Sequence, residues 1–419
     1  MTWAVRGCSG FGASNGCLFA GITLGTAWWF IARNRGTAPT RPYASGWIIP
    51  AVALGFYISG ARGWMQWPSF FQGHLQTNTA LGQFIPISRS YGFLWLFIAG
   101  VPWAGLAACM LSWCGSERPL GAAGWATRLA SGIGCAMLAT YLYHHFPQWF
   151  LPMYDQFSSQ YADLKTNPNL RRLINDSRAA IQHLALFIGF LGFEIGRRDW
   201  RNAKLIATVG LVNGIGWALL QNWSWAKRIW PDSTFNFWRC WETSGGISIG
   251  LAYGLAYFLV NRRLTRDELA RRSAGRIQGP NLERLAAYLG LLFGLGLSIR
   301  NGLKGWANIY LGNEEYWELI LWRIFSPLLF AGAVALTLWV WRRPIDARSG
   351  DDIFPESYRL MWLVLIVQNV IAQLITGPLT AWNEFAFSIY YVLLFMISAV
   401  VVHYFHVGNS RFAAVNKNA

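Results

Sequence analysis

Charged residues are scarce in this chain of 419 residues. Asp, Glu, Lys and Arg together make up 13% of it, whereas hydrophobic residues make up 54%. A soluble globular protein carries about 25% charged residues. Half that share leaves too little polar surface to cover a water-soluble globule of this length. The composition therefore argues against a large soluble domain and indicates a polytopic membrane protein.

Acidic residues are the scarcer of the two charge classes, with 19 against 35 basic residues and a net charge of +16. In a soluble protein such an excess of Lys and Arg suggests nucleic-acid binding. Here the basic residues lie between apolar blocks, where the positive-inside rule places them. We therefore expect the lipid bilayer as a partner and no nucleic acid, and the sequence predicts no particular oligomeric state.

Cysteine is sparse, and the common catalytic motifs are missing. No two cysteines form a CxxC pair, so we expect free thiols in helices rather than a disulfide framework or a zinc site. The six are Cys8, Cys17, Cys109, Cys114, Cys135 and Cys240. The chain has no GxxxxGK[ST], HExxH or GxSxG motif and no dinucleotide fingerprint. These absences argue against an ATP-driven pump and known hydrolase classes, and we expect no cofactor and no metal.

Long apolar blocks recur along the chain. A helix that crosses a bilayer needs about 20 mostly apolar residues, and in lipid its backbone amides must be satisfied within the segment. Eleven spans are predicted, at 17–32, 43–60, 90–113, 126–146, 179–196, 203–220, 240–261, 285–300, 316–341, 360–377 and 385–406. The first is expected to be an uncleaved helix, because Arg33, Arg35 and Arg41 follow it without a cleavage pattern.

Lys and Arg are unevenly divided between alternate connections. One set of connections carries 22 basic residues, and the other set, with the N-terminal tail, carries 12. The richer set is predicted to be cytoplasmic. This places the protein in the cell membrane, with the N-terminus outside and the C-terminus in the cytoplasm. The longest basic connection, residues 261–283, is then a cytoplasmic loop that is partly helical.

After the first helix, short polar motifs recur and predict five helical hairpins. Amide-containing pairs lie near the outer end of three outgoing helices: Gln221-Asn222, Arg300-Asn301 and Gln368-Asn369. Three returning helices open on Trp241-Glu242, Trp317-Glu318 and Asn383-Glu384. Each hairpin begins and ends in the cytoplasm, so the repeats would form a parallel pseudo-symmetric bundle about the membrane normal.

The predicted organisation is a single transmembrane domain over residues 1–419. An N-terminal helix and a cytoplasmic link occupy residues 1–42. The five hairpins occupy 43–406, and a cytoplasmic tail follows at 407–419. The fold class is therefore an all-α bundle of about 11 transmembrane helices.

Polar, acidic and aromatic residues collect at the predicted outer face. The candidates for binding a substrate or an ion are Glu242, Glu318, Glu384, Arg300, Asn301, Gln221, Asn222, Gln368, Asn369, Trp241 and Trp317. The densest cluster adds Glu314 and Glu315 to Arg300, Asn301 and Glu318. Glu314 and Glu318 are one helical turn apart and would share a face.

Several interpretations of these residues remain open. The carboxylates suit a general acid and base, a cation site, a solvated loop, or complements to helix dipoles. A bundle that closes around an axis would bring Glu242 and Glu384 to the region of Glu318. The tryptophans suit an interfacial anchoring belt or a platform that stacks on sugar rings or lipid head groups. The sequence does not choose among them.

Three functions fit this pattern. The first is transport or permeation of a small solute through an outer polar mouth. It predicts that Gln182, Asn213, Asn222, Gln368, Asn369 and Gln373 face the bundle interior. The second is a membrane-embedded enzyme that acts on a lipid-linked or glycan substrate at the outer face. The third is a non-catalytic scaffold or assembly subunit. Transport ranks first because repeats and many spans suit it and no catalytic motif is present.

Overall fold

A computed structural model describes residues 2–7, 11–33, 40–60, 67–115, 118, 120–220, 226–265, 267–268, 279–345 and 353–415. This part of the chain is almost entirely helical. The helices are α1 Ala13–Ala32, α2 Ile48–Ser59, α3 Trp67–Phe70, α4 Ser90–Trp113, α5 Ala122–His145, α6 Ser158–Ala162, α7 Pro168–Gly196, α8 Trp200–Leu220, α9 Ala226–Ile229, α10 Phe237–Val260, α11 Pro280–Tyr310, α12 Glu314–Arg342, α13 Phe354–Leu374 and α14 Trp382–Val415. Two single 3-10 turns occupy Ala4–Gly7 and Pro147–Trp149.

Every predicted span falls on a helix. Within the described residues, eight helices are long and apolar enough to cross a membrane: α1, α4, α7, α10, α11, α12, α13 and α14. A multi-pass membrane protein is therefore confirmed. The helix α2 is apolar but has only 12 residues, and α5 and α8 are long but fall outside that set. The count of eleven spans stays a prediction.

A small β-hairpin lies where the sequence predicted only a polar connection. The strands β1 (His74–Asn78) and β2 (Gln83–Pro86) pair antiparallel, with Leu75 opposite Ile85. Leu75 and Ile85 are buried while most of their strand neighbours are polar. A search for long apolar blocks misses this period-2 pattern because so few of its residues are apolar.

The chain divides into two compact units. Unit 1 comprises Met1–Tyr57, Met110–Glu117 and Phe258–Ala419, and unit 2 comprises Ile58–Cys109 and Arg118–Tyr257. Unit 1 contains α1, α2 and α11 to α14. In it, α11 packs on α12 and α13 packs on α14, while α1 contacts both α11 and α13. Small residues let helices of unit 1 approach closely, because Gly21 of α1 faces the backbone of Ala53 in α2 and Gly294 of α11 faces Ile22 of α1.

A buried asparagine fixes non-helical backbone in unit 1. Asn261, which follows α10, accepts from the Tyr43 backbone N–H at 3.0 Å and donates to the Tyr43 carbonyl at 3.3 Å. The Trp28 indole donates to the same carbonyl at 3.1 Å. The Leu264 N–H donates to the Thr40 carbonyl at 2.8 Å. Residues 40–43 are not helical, and backbone groups among them are instead satisfied by hydrogen bonds to other parts of the protein.

Unit 2 contains α4, α5, α7, α8 and α10, and polar groups tie its helices together. The Asn213 amide of α8 donates to the Gly100 carbonyl of α4 at 2.6 Å. The Ser248 hydroxyl of α10 donates to the Asn213 side chain at 3.0 Å. Tyr253 donates to the Ala104 carbonyl at 2.9 Å. The five cysteines of the described chain are free thiols.

Candidate functional site

The turn between α11 and α12 brings the densest predicted cluster together. Gly312 and Asn313 both adopt left-handed backbone, with φ values of 71° and 53°. Such backbone suits glycine and is tolerated by asparagine. The Asn313 side chain then caps α12 by accepting from the Tyr316 N–H at 3.2 Å. This tight reversal lays the start of α12 beside the end of α11.

Arg300, Lys304, Glu314 and Glu318 form one network of ion pairs across this turn. The Arg300 guanidinium binds the Glu318 carboxylate directly and donates to the Asn301 side-chain oxygen at 2.8 Å. Lys304 Nζ lies 2.9 Å from Glu318 Oε2 and 3.1 Å from Glu314 Oε1. Glu314 and Glu318, which were predicted to share a helix face, therefore both contact Lys304.

A tryptophan completes this cluster. The Arg300 guanidinium carbon lies 3.9 Å from the centroid of the Trp322 ring, a distance typical of a cation–π contact. The Trp322 indole donates to Glu318 Oε1 at 3.0 Å. Arg300 is only 2% exposed, whereas the Glu318 side chain is 37% exposed. The cluster therefore has a buried cation and a glutamate whose side chain is partly exposed.

Other predicted residues of unit 1 lie on α12, α13 and α14. Trp317 precedes Glu318 in α12 and meets the Tyr316 ring edge-on at 5.4 Å. Gln368 is buried in α13. The neighbouring Asn369 has a buried side-chain oxygen with no hydrogen-bond partner among the described residues. Glu384, in the first turn of α14, lies against Gly377, whose φ is 90°.

The remaining predicted residues lie elsewhere. Glu242 and Trp241 are buried at the start of α10 in unit 2. The Trp241 ring contacts Trp238 at 4.5 Å and Trp217 at 5.5 Å between centroids. Gln221 and Asn222 lie outside the described residues. The convergence of Glu242, Glu318 and Glu384 on one cavity therefore stays a prediction.

The polar residues predicted to face a bundle interior differ in how they are satisfied. In unit 2, Gln182 donates to Thr140 at 2.8 Å, and Asn213 has the partners described above. In unit 1, Gln373 and Ser388 bind each other at 2.6 Å. These hydrogen bonds join neighbouring helices through their polar side chains. The Asn369 oxygen is different because no described group satisfies it.

Sequence reasoning missed two Arg–Glu pairs that join distant parts of the chain. Arg128 of α5 lies 2.6 Å from Glu194 of α7, and both are almost fully buried. Glu194 also lies 3.5 Å from Arg197, three residues further along the chain. Arg284 of α11 binds Glu356 of α13 at 2.5 Å. These partners are 66 and 72 residues apart, so no local spacing rule finds them.

A cavity in unit 2 was also not predicted. It has a volume of about 370 Å³ and is walled by α4, α7 and the segment that follows the Pro147–Trp149 turn. Its lining includes Tyr91, Trp95, Trp149, Phe150, Tyr154 and Asp155. The aromatic content of residues 146–161 was visible in the sequence, but no periodicity places it beside α4.

No group of three or more His, Cys, Asp or Glu side chains is arranged to hold a metal ion in the part of the chain that the structure describes. No protein-family model, curated protein or solved structure matches this chain.

Proposed function

We propose that this protein is a transporter or permeation pathway for a small solute, with its polar mouth on the extracytoplasmic side. The observation that carries the proposal is the Arg300–Glu318 cluster. It places a guanidinium that is 2% exposed within an apolar helix, bound to a glutamate whose side chain is 37% exposed. Ionisable residues in membrane helices are costly and usually mark a substrate or ion path.

The chemistry of this cluster suits reversible binding of a polar solute. Glu318 has three donors, Arg300, Lys304 and Trp322, each of which a solute group can replace. Lys304 has a second partner in Glu314 and can release Glu318 without losing its own ion pair. Asn369, with its unsatisfied buried oxygen on α13, offers a further polar group in the same unit.

The proposed architecture is the eleven-span bundle of five parallel hairpins. Its support is the direct packing of helices that are consecutive in three of these hairpins: α5 on α7, α11 on α12, and α13 on α14. Under this topology the α11–α12 turn faces the extracytoplasmic side, and the three carboxylates Glu242, Glu318 and Glu384 begin returning helices there.

The test is solute flux into sealed proteoliposomes that contain the purified full chain. Isotope counterflow is measured with a panel of sugars, amino acids, amines and carboxylic acids. We expect at least one solute to exchange, and Glu318→Gln to reduce that exchange at least tenfold with unchanged reconstitution. Glu315→Gln is the matched control, because Glu315 is an exposed carboxylate in the first turn of the same helix. Vesicles that stay sealed to the whole panel contradict the proposal.

The partial exposure of the Glu318 side chain also favours a second candidate, an enzyme that acts on a lipid-linked or glycan substrate at the outer face. A carboxylate beside a tryptophan wall and a guanidinium can bind a sugar and exchange a proton with it. Incubation of the protein with lipid-linked glycans then gives a released product, which Glu318→Gln abolishes. Product formation without counterflow favours this function over transport.

A further inference from the structure

The cavity of unit 2 has one wall of aromatic and aliphatic side chains, and Gln148, Asp155 and Gln156 add polar groups elsewhere in its lining. From α4 it takes Tyr91, Leu94, Trp95 and Ile98, which are spaced i, i+3, i+4 and i+7 and therefore share one helix face. Across from them lies the chain that follows α5. A volume of about 370 Å³ falls within the range of small-molecule sites, about 300–1,000 Å³.

The opposite wall presents a carboxylate among aromatic rings. Trp149, Phe150, Tyr154 and Asp155 all line the cavity. Asp155 is exposed to solvent, and it makes no hydrogen bond or ion pair with any residue that the structure describes. None of the thirteen lining residues is Lys, Arg or His. The lining of this cavity therefore carries one carboxylate and no basic side chain.

The segment that carries Asp155 is held in place by its own hydrogen bonds. The Leu151 N–H donates to the Pro147 carbonyl at 2.8 Å, and the Phe157 N–H donates to the Met153 carbonyl at 3.1 Å. The Tyr161 hydroxyl donates to the Pro152 carbonyl at 3.0 Å. Met153 adopts a φ of 52°, which is uncommon for a residue other than glycine. A wall fixed in this way is organised before any ligand arrives.

Further aromatic rings pack against the rings of this wall. Trp149 stacks on Phe146 with ring centroids 4.5 Å apart. Phe150 packs on Tyr143 at 5.3 Å, and Tyr154 packs on Tyr161 at 5.3 Å. Trp149 remains 64% exposed, so its ring has a free surface for a ligand.

We propose that this cavity binds a small organic cation, an ammonium group that carries apolar substituents. Aromatic faces attract such a cation through their quadrupoles, most strongly when the cation is partly desolvated. Asp155 supplies the countercharge, and the aliphatic side chains accommodate the substituents. A neutral sugar would use the rings but not the carboxylate, and an anion would be repelled by it. The inference is independent of the proposed transport, because it concerns binding at equilibrium.

The test is calorimetric binding to the full chain in lipid nanodiscs, where no flux is possible. The probes are choline and its uncharged isostere 3,3-dimethylbutan-1-ol, followed by tetraalkylammonium ions from tetramethyl to tetrapropyl. We expect at least one ammonium ion to bind, and choline to bind at least tenfold more tightly than its isostere. Absence of binding by every ammonium probe overturns the proposal, as does equal affinity for choline and the alcohol.

Variants locate the binding within the cavity. Asp155→Asn preserves the shape of the side chain and should weaken ammonium binding at least tenfold. Trp149→Leu alters an exposed ring and should weaken it several-fold. Asp232→Asn is the matched control, because Asp232 is an exposed carboxylate of the same unit outside the cavity lining. An Asp155→Asn protein that binds ammonium as well as the unaltered chain contradicts the assignment, whatever the flux experiment shows.

Discussion

Three arginines in these helices are each held between a carboxylate and the face of a tryptophan. This arrangement gives each guanidinium both a countercharge and an aromatic ring against its flat face. The three sets are Arg128 with Glu194 and Trp125, Arg284 with Glu356 and Trp339, and Arg300 with Glu318 and Trp322. The first set is the most deeply buried of the three, because the Arg128 and Glu194 side chains are 1% and 0% exposed.

Removal of either partner from the Arg128–Glu194 pair should destabilise the protein strongly. Arg128→Met leaves Glu194 as a buried charge whose remaining partners are Arg197 at 3.5 Å and the Asn202 amide at 3.1 Å. Breaking a buried pair in this way costs about 3–5 kcal/mol. Reversible unfolding of the purified protein in mixed detergent measures the loss.

The control for this experiment is Lys204→Met, which removes an exposed positive charge from α8. Exposed charges contribute at most about 1 kcal/mol. Equal stabilities of Arg128→Met and Lys204→Met would show that the buried pair does not support unit 2. The double replacement Arg128→Met with Glu194→Leu should recover part of the loss, because it leaves no buried charge unpaired.

Sequence distance decided which of these residues could be predicted. Arg300 and Glu318 are 18 residues apart across one turn, and the density of charge there identified the cluster. Glu194 and Arg197 are three residues apart, a spacing at which helical neighbours meet. Arg128 and Asp155 gave no such signal, because their surroundings come from distant helices and from a segment without periodicity.

At the scale of the helix, α5 and α7 approach each other closely through glycine. A Cβ atom on Gly189 of α7 would lie within 3 Å of the backbone of Ser131 and Gly132 in α5. The Ser131 hydroxyl donates to the Gly189 carbonyl at 2.9 Å. Small residues of this kind let membrane helices pack backbone to backbone.

Gly189→Ala should therefore destabilise unit 2, because backbone atoms cannot move aside as a side chain can. Overpacking of this kind typically costs about 1–3 kcal/mol. Gly192→Ala, on the same helix, meets nothing within 4 Å and should be neutral or stabilising by up to about 1 kcal/mol through helix propensity. Detergent unfolding compares the two variants. If they lose stability equally, the glycine contact is not what sets the spacing of α5 and α7.

Apolar blocks located the eleven long or apolar helices of the described residues but misplaced several of their ends. The spans predicted at 179–196 and 285–300 lie inside α7 (Pro168–Gly196) and α11 (Pro280–Tyr310). Both helices continue into polar turns, where hydropathy falls while the helical hydrogen bonding goes on. The β1–β2 hairpin was not predicted, because its few buried residues do not form a long apolar block.

At the scale of the whole molecule, the asymmetry of basic residues fixes the predicted orientation. The connection at residues 261–283 is the most basic, so it should be cytoplasmic, and the α11–α12 turn should be outside. The proposed mouth depends on this orientation, because Arg300, Lys304, Glu314 and Glu318 all lie at that turn.

Cysteine labelling of intact cells tests the orientation. In a background without native cysteines, Leu311→Cys should react with an impermeant maleimide from outside, because Leu311 is exposed at the turn. Arg263→Cys should react only after permeabilisation. The reverse pattern would place the cluster on the cytoplasmic side and remove the extracytoplasmic mouth.

The shortness of α2 has a consequence for the lipids around unit 1. Twelve residues give a helix about 18 Å long, whereas a typical hydrocarbon layer is about 30 Å thick. Leu54 and Tyr57 are exposed on this helix. In the proposed eleven-span topology, acyl chains beside them face a hydrophobic mismatch, which a bilayer relieves by local thinning. Reconstitution in lipids of decreasing chain length should therefore raise the thermal stability of the protein, up to the thickness that the longer neighbouring helices tolerate.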